Sequence, residues 1–401
     1  MERGIRRVDL AYVQLASSEI ARDINRDVVL ELIRARQPIS RADLARYSGL
    51  QRSTVSLIVE ELLEEGWIRE GAIVRRPRGR RPTLLNLNDD LVLLVCDIHP
   101  MQAVVAMVDL NGRFLARESL PLLSDPAKAI AQIVERMKRL EQKHEQKSIE
   151  GIGVSLPGRV DPQSQTLIFA PNLNWPSFDI KKALEDGMGL KVEMDNAANA
   201  CLLSELWFGR MDGVRDAVLV TISEGIGTGV LANGQLVLGN SGMAGEFGHI
   251  PLDPAGPACA CGGTGCWETL ASSTAALRYY SDLTHGANHL TMQDLIKLAD
   301  EGDAHASQAI EKQAHMIGRG MRTILAAFSP EVILVTGDVT SAWSRVEPIV
   351  KEELASLVLA GPAPRLMAVE ESEVARLRGA AALVLQRHTG RPQQDKAESL
   401  A

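Results

Sequence analysis

Two hydrophobic periodicities follow one another along the chain, and the change between them divides it. Over residues 24–36 (INRDVVLELIRAR) apolar positions recur at helical spacing, with Val28, Leu32 and Ile33 on one predicted face. Pro38 ends that helix. Ser40, with Asp43 three positions on, reads as the N-cap of a short helix through Tyr47. Gly49 then supplies a turn, and a second helix over about 51–65 buries Val55, Ile58, Val59 and Leu62 before stopping at Gly66. Residues 67–87 read as a hairpin, with WIREGAIV and TLLNLN flanking the turn RRPRGRRP.

From Leu91 the pattern becomes an alternation of strands and helices. LVLLVCDI and AVVAMVDL predict paired strands, followed by a turn at Asn111-Gly112 and a helix over 126–145. GIGVSL and KVEMDN predict strands, the latter feeding a helix near 197–208. AVLVTI and GVLANGQLVLG are strands around a glycine-rich turn; helices fill 270–328, VILVTG is a late strand, and helices at 341–358 and 373–387 close the chain. Such alternation predicts an α/β fold whose sheets are covered by helices. The boundaries that follow are an arm or helix over 1–23, a head over 24–88, a body over 91–390 and a polar, disordered tail over 391–401.

Composition changes this picture in two respects. The chain lacks both an 18-residue apolar run and a signal-peptide core, so no membrane span is expected and the cytoplasm is the expected compartment. The net charge of -8 is unevenly spread: residues 1–88 hold 16 Arg, no Lys and 12 acidic residues, an excess of +4, which leaves -12 on the remainder. A basic head on an acidic body points to an anionic partner for the head alone.

The head has the residues that a helix-turn-helix needs. Leu44, Ala45, Gly49, Leu50, Val55 and Ile58 lock the crossing of two short helices. The second helix then points Gln51, Arg52, Ser53, Thr54 and Ser56 outward, side chains suited to base edges and phosphates. The arginine hairpin behaves like a wing, with Arg78, Arg80 and Arg81 placed to neutralise phosphates or enter a minor groove. The plainer alternative is a helical hairpin for protein contact with a solvated arginine loop; the coincidence of helix spacing and basic wing favours double-stranded DNA.

Three of the five cysteines fall within eight positions. His249, Cys259, Cys261 and Cys266 together offer one imidazole and three thiolates, a closed tetrahedral set suited to one structural Zn2+. Three free thiols on a loop would instead be an oxidation liability.

The stretch GMAGEFGHIPLDPAGPACACGGTGCWETLAS (242–272) resembles the signature of the ROK family of sugar kinases and sugar-responsive repressors. The resemblance extends to SLPGRVD (155–161), APNLNW (170–175), SEGIGTG (223–229), FSPEVILVTG (328–337) and GRRP (79–82). It implies a winged helix-turn-helix followed by a two-lobed actin/hexokinase-like (ribonuclease H-like) domain, with sugar in the cleft and a homodimer or homotetramer as the assembly. It also implies that Asn172, Glu246, His249 and Glu268 hold sugar hydroxyls, although each glutamate taken singly could be a helix cap or a surface charge.

Departures from that family's kinases imply that no catalytic residues remain. Their Asp-x-Gly-Gly-Thr phosphate loop reads Asp97-Ile98-His99-Pro100-Met101 here, and proline lacks the N–H that a phosphate would need. Ser223 and Glu224 replace the first residues of the second glycine-rich loop. The general-base aspartate of an Asn-Asp-Ala-Asn motif aligns with Ala197. The expectation is a sugar-responsive regulator of carbohydrate genes. The competing readings are a bifunctional kinase with a DNA-binding head and a regulator controlled by a docked protein partner.

Overall fold

The computed structural model describes residues 18–73, 82–173, 175–209, 211, 213–286, 290–356, 363–369 and 371–387. Most of the 1–23 arm, Arg78, Arg80, Arg81 and the 391–401 tail lie outside these. By internal contacts the chain forms two compact units, Met1–Leu91 with Leu385–Ala401, and Val92–Val384.

In the first unit, α1 (Ser18–Arg36) starts earlier than the periodicity suggested, so residues 18–23 belong to a helix rather than an arm. Its buried face also differs: Val29, Leu30 and Ile33 enter the core, while Val28 is 39% exposed. Strand β1 (Ile39–Ser40) leads into α2 (Arg41–Ser48), where the Ser40 hydroxyl accepts from the Asp43 N–H and donates to its carboxylate. Gly49 ends α2 with φ 72°, a left-handed cap that a Cβ would disfavour. Helix α3 (Arg52–Glu64) then buries Val55, Ile58, Val59 and Leu62 against α1, as its spacing predicts. Strands β2 (Ile68–Ile73) and β3 (Thr83–Leu87) pair antiparallel, and β1 pairs with β3 to give the sheet order β1-β3-β2. Half-buried in α1, Asp27 has its carboxyl pushed up to about 6 by burial, with Arg26 opposing and Asp23 adding to the shift.

The second unit is built on two five-stranded sheets. The first has the order β10-β7-β4-β5-β6, from β4 (Leu91–Ile98), β5 (Gln102–Asp109), β6 (Phe114–Pro121), β7 (Ser148–Leu156) and β10 (Val192–Asn196). Helices α4 (Pro126–Lys143) and α5 (Ile180–Met188) share its apolar core through Ile130, Ile133, Met137 and Leu184. Between β7 and α5 lie the short strands β8 (Arg159–Val160) and β9 (Leu167–Phe169), an antiparallel pair.

After α6 (Ala197–Phe208) comes the second sheet, in the order β13-β12-β11-β14-β15. Its strands are β11 (Ala217–Ile222), β12 (Ile226–Ala232), β13 (Gln235–Leu236), β14 (Val332–Thr336) and β15 (Arg365–Ala368). The sequence AVLVTI is apolar apart from Thr221 because β11 is covered on both faces. Val218, Val220 and Ile222 pack toward α7 (Trp267–Ala271), α8 (Ser273–Thr284), α9 (Met292–Asp300), α10 (Ala304–Phe328) and α11 (Trp343–Ala355). Ala217 and Leu219 face α6 and α12 (Ser372–Arg387). The α6–α12 crossing is close: a Cβ on Gly379 would run into the backbone of Ala200.

Candidate functional site

The loop between β13 and α7 folds on itself through short backbone bridges. Pro251 pairs with Cys266 and Ala258 with Thr264, and the Cys259 N–H donates to Gly263 O at 2.9 Å. Gly265 sits at φ +61° against the Asp253 carbonyl, a place that no side chain would fit. These constraints bring His249, Cys259, Cys261 and Cys266 together, with their ligand atoms all within 4.8 Å of one another. A tetrahedral ion with bonds of about 2.3 Å to sulfur and about 2.0 Å to nitrogen sets S···S near 3.8 Å and S···N near 3.5 Å. Cys261 and Cys266 are 3.7 Å apart, and Cys259 Sγ lies 3.5 Å from His249 Nδ1, so the residues fit a metal ion. Desolvation raises the Cys259 and Cys266 thiols, whereas a backbone N–H from Gly263 lowers Cys261. A cation among them would override the desolvation.

The imidazole has two different sides. With Nδ1 facing the thiols, His249 Nε2 lies 3.8 Å from the Glu246 carboxylate. Burial raises the Glu246 pKa, the positive fields of His249 and Arg159 oppose it, and Glu268 adds to it. Glu268, two residues after the last cysteine, accepts from the Ile226 N–H at 3.0 Å through Oε2. Gly225 leaves room for this, since a Cβ there would come within 2.5 Å of the same oxygen. Glu246, His249 and Glu268 therefore surround one spot beside the cysteines. Asn172 is exposed on the 3-10 turn Pro171–Leu173 of the other lobe, and among the described residues no hydrogen bond joins it to the three. Sequence reasoning missed Arg159 and Met243, whose side chains meet next to the turn bearing Glu246. Both stood inside quoted motifs, but nothing in their spacing announced the meeting.

The loops that differ from a kinase have other partners. Asp97, at the end of β4, is 0% exposed; its Oδ2 accepts from Arg376 Nε at 2.9 Å and lies 2.6 Å from His99 Nε2. The His99 N–H closes a tight turn onto Gln102 O at 2.8 Å, which leaves Met101 80% exposed where a glycine cradle would lie. Around Ser223, the carbonyl accepts from the Ser273 N–H and the hydroxyl from the Asp338 N–H, while the Glu224 carbonyl accepts from Thr274 Oγ1. Ala197 opens α6 behind the cap Asn196. Its neighbour Asp195 accepts from Asn199 Nδ2 at 3.0 and 3.1 Å and from the Asn196 N–H at 2.7 Å.

On the head, Gln51, Arg52 and Ser53 are exposed at the start of α3, and Thr54 and Ser56 are half-buried. No side chain caps that terminus, so its first N–H groups face outward as donors suited to a phosphate. Sequence reasoning missed a stack beside it: the Arg36 and Arg46 guanidiniums lie 4.4 and 4.9 Å from the ring centre of Tyr47.

Comparison with known proteins places this geometry. The model of the ROK family matches residues 96–387, and that of the MarR family matches residues 25–70. The xylose repressor of Bacillus subtilis is 31% identical over 350 residues, covering 86% of this chain and 90% of the relative. Among solved structures, a ROK family transcriptional regulator described as a homologue of the E. coli Mlc protein aligns at TM-score 0.81 and 26% identity, over 92% of this chain and 98% of that one. A ROK family glucokinase from Streptomyces griseus aligns at TM-score 0.65 and 27% identity, over 74% of this chain and 99% of the kinase.

Proposed function

Because the chain belongs to the ROK family, with an N-terminal winged helix-turn-helix ahead of the family domain, we propose that it is a sugar-responsive DNA-binding regulator, a repressor of carbohydrate genes. One observation carries the reading: the polar groups suited to a polyol converge at Glu246, His249 and Glu268, while Asp97 is committed to Arg376. The site is arranged to hold a sugar and lacks the means to phosphorylate it. With Ala197 at the position of the aspartate that the resemblance assigns as general base, that proton acceptor is missing.

In this reading one structural Zn2+ is held by His249 Nδ1 and the three cysteines, and supplies cross-linking rather than Lewis-acid chemistry because no coordination position stays open. Nε2 is then turned toward a sugar hydroxyl, with Glu246 and Glu268 as acceptors and Asn172 contributing an amide as sugar fills the cleft. A pocket that meets each hydroxyl discriminates among sugars because a missing partner leaves a buried polar group unpaired. The relative's name makes an aldose such as xylose the first ligand to try. The head reads double-stranded operator DNA through Gln51, Arg52, Ser53, Thr54 and Ser56, with Arg78, Arg80 and Arg81 on the backbone. A homodimer or homotetramer spans two half-sites, and sugar shifts the balance between spacings that fit and do not fit.

The test is a gel-shift titration of zinc-loaded protein on DNA upstream of its own gene, with competitor DNA and a sugar panel. A sugar that shifts affinity by about tenfold, ~1.4 kcal/mol of coupling, supports the reading. Sugar-dependent ATP hydrolysis would overturn the non-enzymatic part, and specific binding unmoved by any sugar would transfer control to another effector.

A further inference from the structure

The loop that carries Asn172 also folds around a pocket of its own. Its two arms, Leu167–Ala170 and Trp175–Phe178, enclose about 130 Å3 between them, and Asn172 sits at the turn that joins them. Liquid water takes about 30 Å3 per molecule, so the space matches a few waters or one small ring. Trp175 is held in place by donation from its indole N–H to the Leu123 carbonyl at 3.1 Å. Phe178 is half-buried against the core of the first sheet. Opposite them, Ile168 and Phe169 are 43% and 46% exposed, an unusual amount of apolar surface for two successive residues of a strand.

Arg159 connects the strand that lines this pocket to the turn that bears Glu246. Phe169 pairs in register with Arg159 across β8 and β9. The Arg159 guanidinium meets Met243 Sδ, and its positive field acts on the Glu246 carboxyl. Met243, on the turn that bears Glu246, is itself 52% exposed. Arg159 thus links Phe169, on the loop that carries Asn172, to Met243, on the turn that bears Glu246, while Ser177 and loop backbone add polar groups to the pocket.

We propose that this pocket is a second-ring subsite, so that the effector is a disaccharide-type glycoside rather than a free monosaccharide. The inference rests on the sugar-binding reading of Asn172, Glu246, His249 and Glu268. A second sugar ring suits the lining because a pyranose presents C–H groups to aromatic side chains, here Phe169 and Trp175, while its rim presents hydroxyls to Ser177 and backbone. A purely aryl substituent would leave those polar groups unpaired.

The experiment is calorimetric titration of the zinc-loaded full chain with xylose, glucose and N-acetylglucosamine, and with the β-1,4 disaccharides xylobiose, cellobiose and diacetylchitobiose. One disaccharide is expected to bind at least about tenfold more tightly than its monosaccharide, ~1.4 kcal/mol. Phe169→Ala removes that advantage and leaves monosaccharide affinity unchanged, which also shows that the variant is folded. Ser177→Trp, which fills the pocket, abolishes disaccharide binding alone. The proposal is overturned if a monosaccharide binds as tightly as every disaccharide, if Phe169→Ala weakens both equally, or if a p-nitrophenyl glycoside exceeds the disaccharide. Binding by none of the sugars would bring down the underlying sugar reading as well, whereas monosaccharide binding without a second-ring advantage removes only the subsite.

Discussion

The Asp97–Arg376 pair is the point where the body should be most sensitive to loss of a single group. Arg376→Met keeps the apolar stem and deletes the guanidinium, leaving a carboxylate with no exposed surface and only His99 at 2.6 Å as a partner. Asp97 Oδ1 has no hydrogen-bond partner among the described residues, so nothing stands ready to replace the lost donor. Removing one member of a buried pair costs about 3–5 kcal/mol, and the remaining imidazole argues for the lower end. With a urea m-value of roughly 3 kcal/mol/M, the unfolding midpoint of the body falls by about 1 M. Asp97→Asn combined with Arg376→Met removes both charges and should recover most of the loss, a coupling of about 2 kcal/mol or more. The assay is urea denaturation followed by far-UV circular dichroism for the wild type, both single variants and the double. A drop of less than about 0.3 M in Arg376→Met, or strict additivity in the double, would refute the claim that the buried Asp97–Arg376 pair holds this part of the body together.

Gly320→Ala should destabilise by about 1–3 kcal/mol, because its Cβ would enter the indole of Trp267, which is 1% exposed and bonded to the Met316 carbonyl; differential scanning calorimetry decides, since an exposed helical site would show the opposite sign. Asp27 is pushed up to about 6 from the ordinary 3.8, so the fold favours its protonated form, and its contribution is complete below about pH 4 and lost as pH rises through about 6. Asp27→Asn should therefore stabilise the head by about 1 kcal/mol at pH 7, after discounting for partial exposure, and by nothing at pH 3.5, as read by thermal melts at the two values. Arg52→Ala should weaken operator binding by about 1–3 kcal/mol in fluorescence anisotropy, and an unchanged affinity would take the start of α3 out of the interface.

What the sequence made legible was local. His249 and the three clustered cysteines lie within eighteen positions and Ser40–Asp43 within four, so spacing alone announced that each set would meet. Helix α6 was readable because Asn196 caps it and Phe208 precedes a glycine. Strands β6 and β15 escaped notice because both are edge strands: FLARESLP buries only Leu120, and RLMA buries none of its residues fully, so neither needs an apolar run. On α1 the periodicity chose Val28 where the packing chose Val29 and Leu30, a slip of one position around the helix. The Asp97–Arg376 pair spans 279 positions and Glu268 reaches the Ile226 amide across 42, distances at which no local pattern carries information.

Three successive residues at the end of the metal loop belong to three different parts of the protein. Cys266 is one of the four residues that could hold a metal ion, Trp267 is anchored in the core beside Gly320, and Glu268 is tied to β12 through Ile226. There is no spacer among them in which an inserted or deleted residue could be absorbed. A shift of one position would take a thiol from the His/Cys cluster, an indole from the core and a carboxylate from the Ile226 amide in the same event. Descendants of this loop can therefore change side chains freely at its exposed turns while its length is frozen. With sugar held as proposed, new preferences should accordingly arise by substitution, or in the loop that carries Asn172, and not by a change in the length of the cysteine loop.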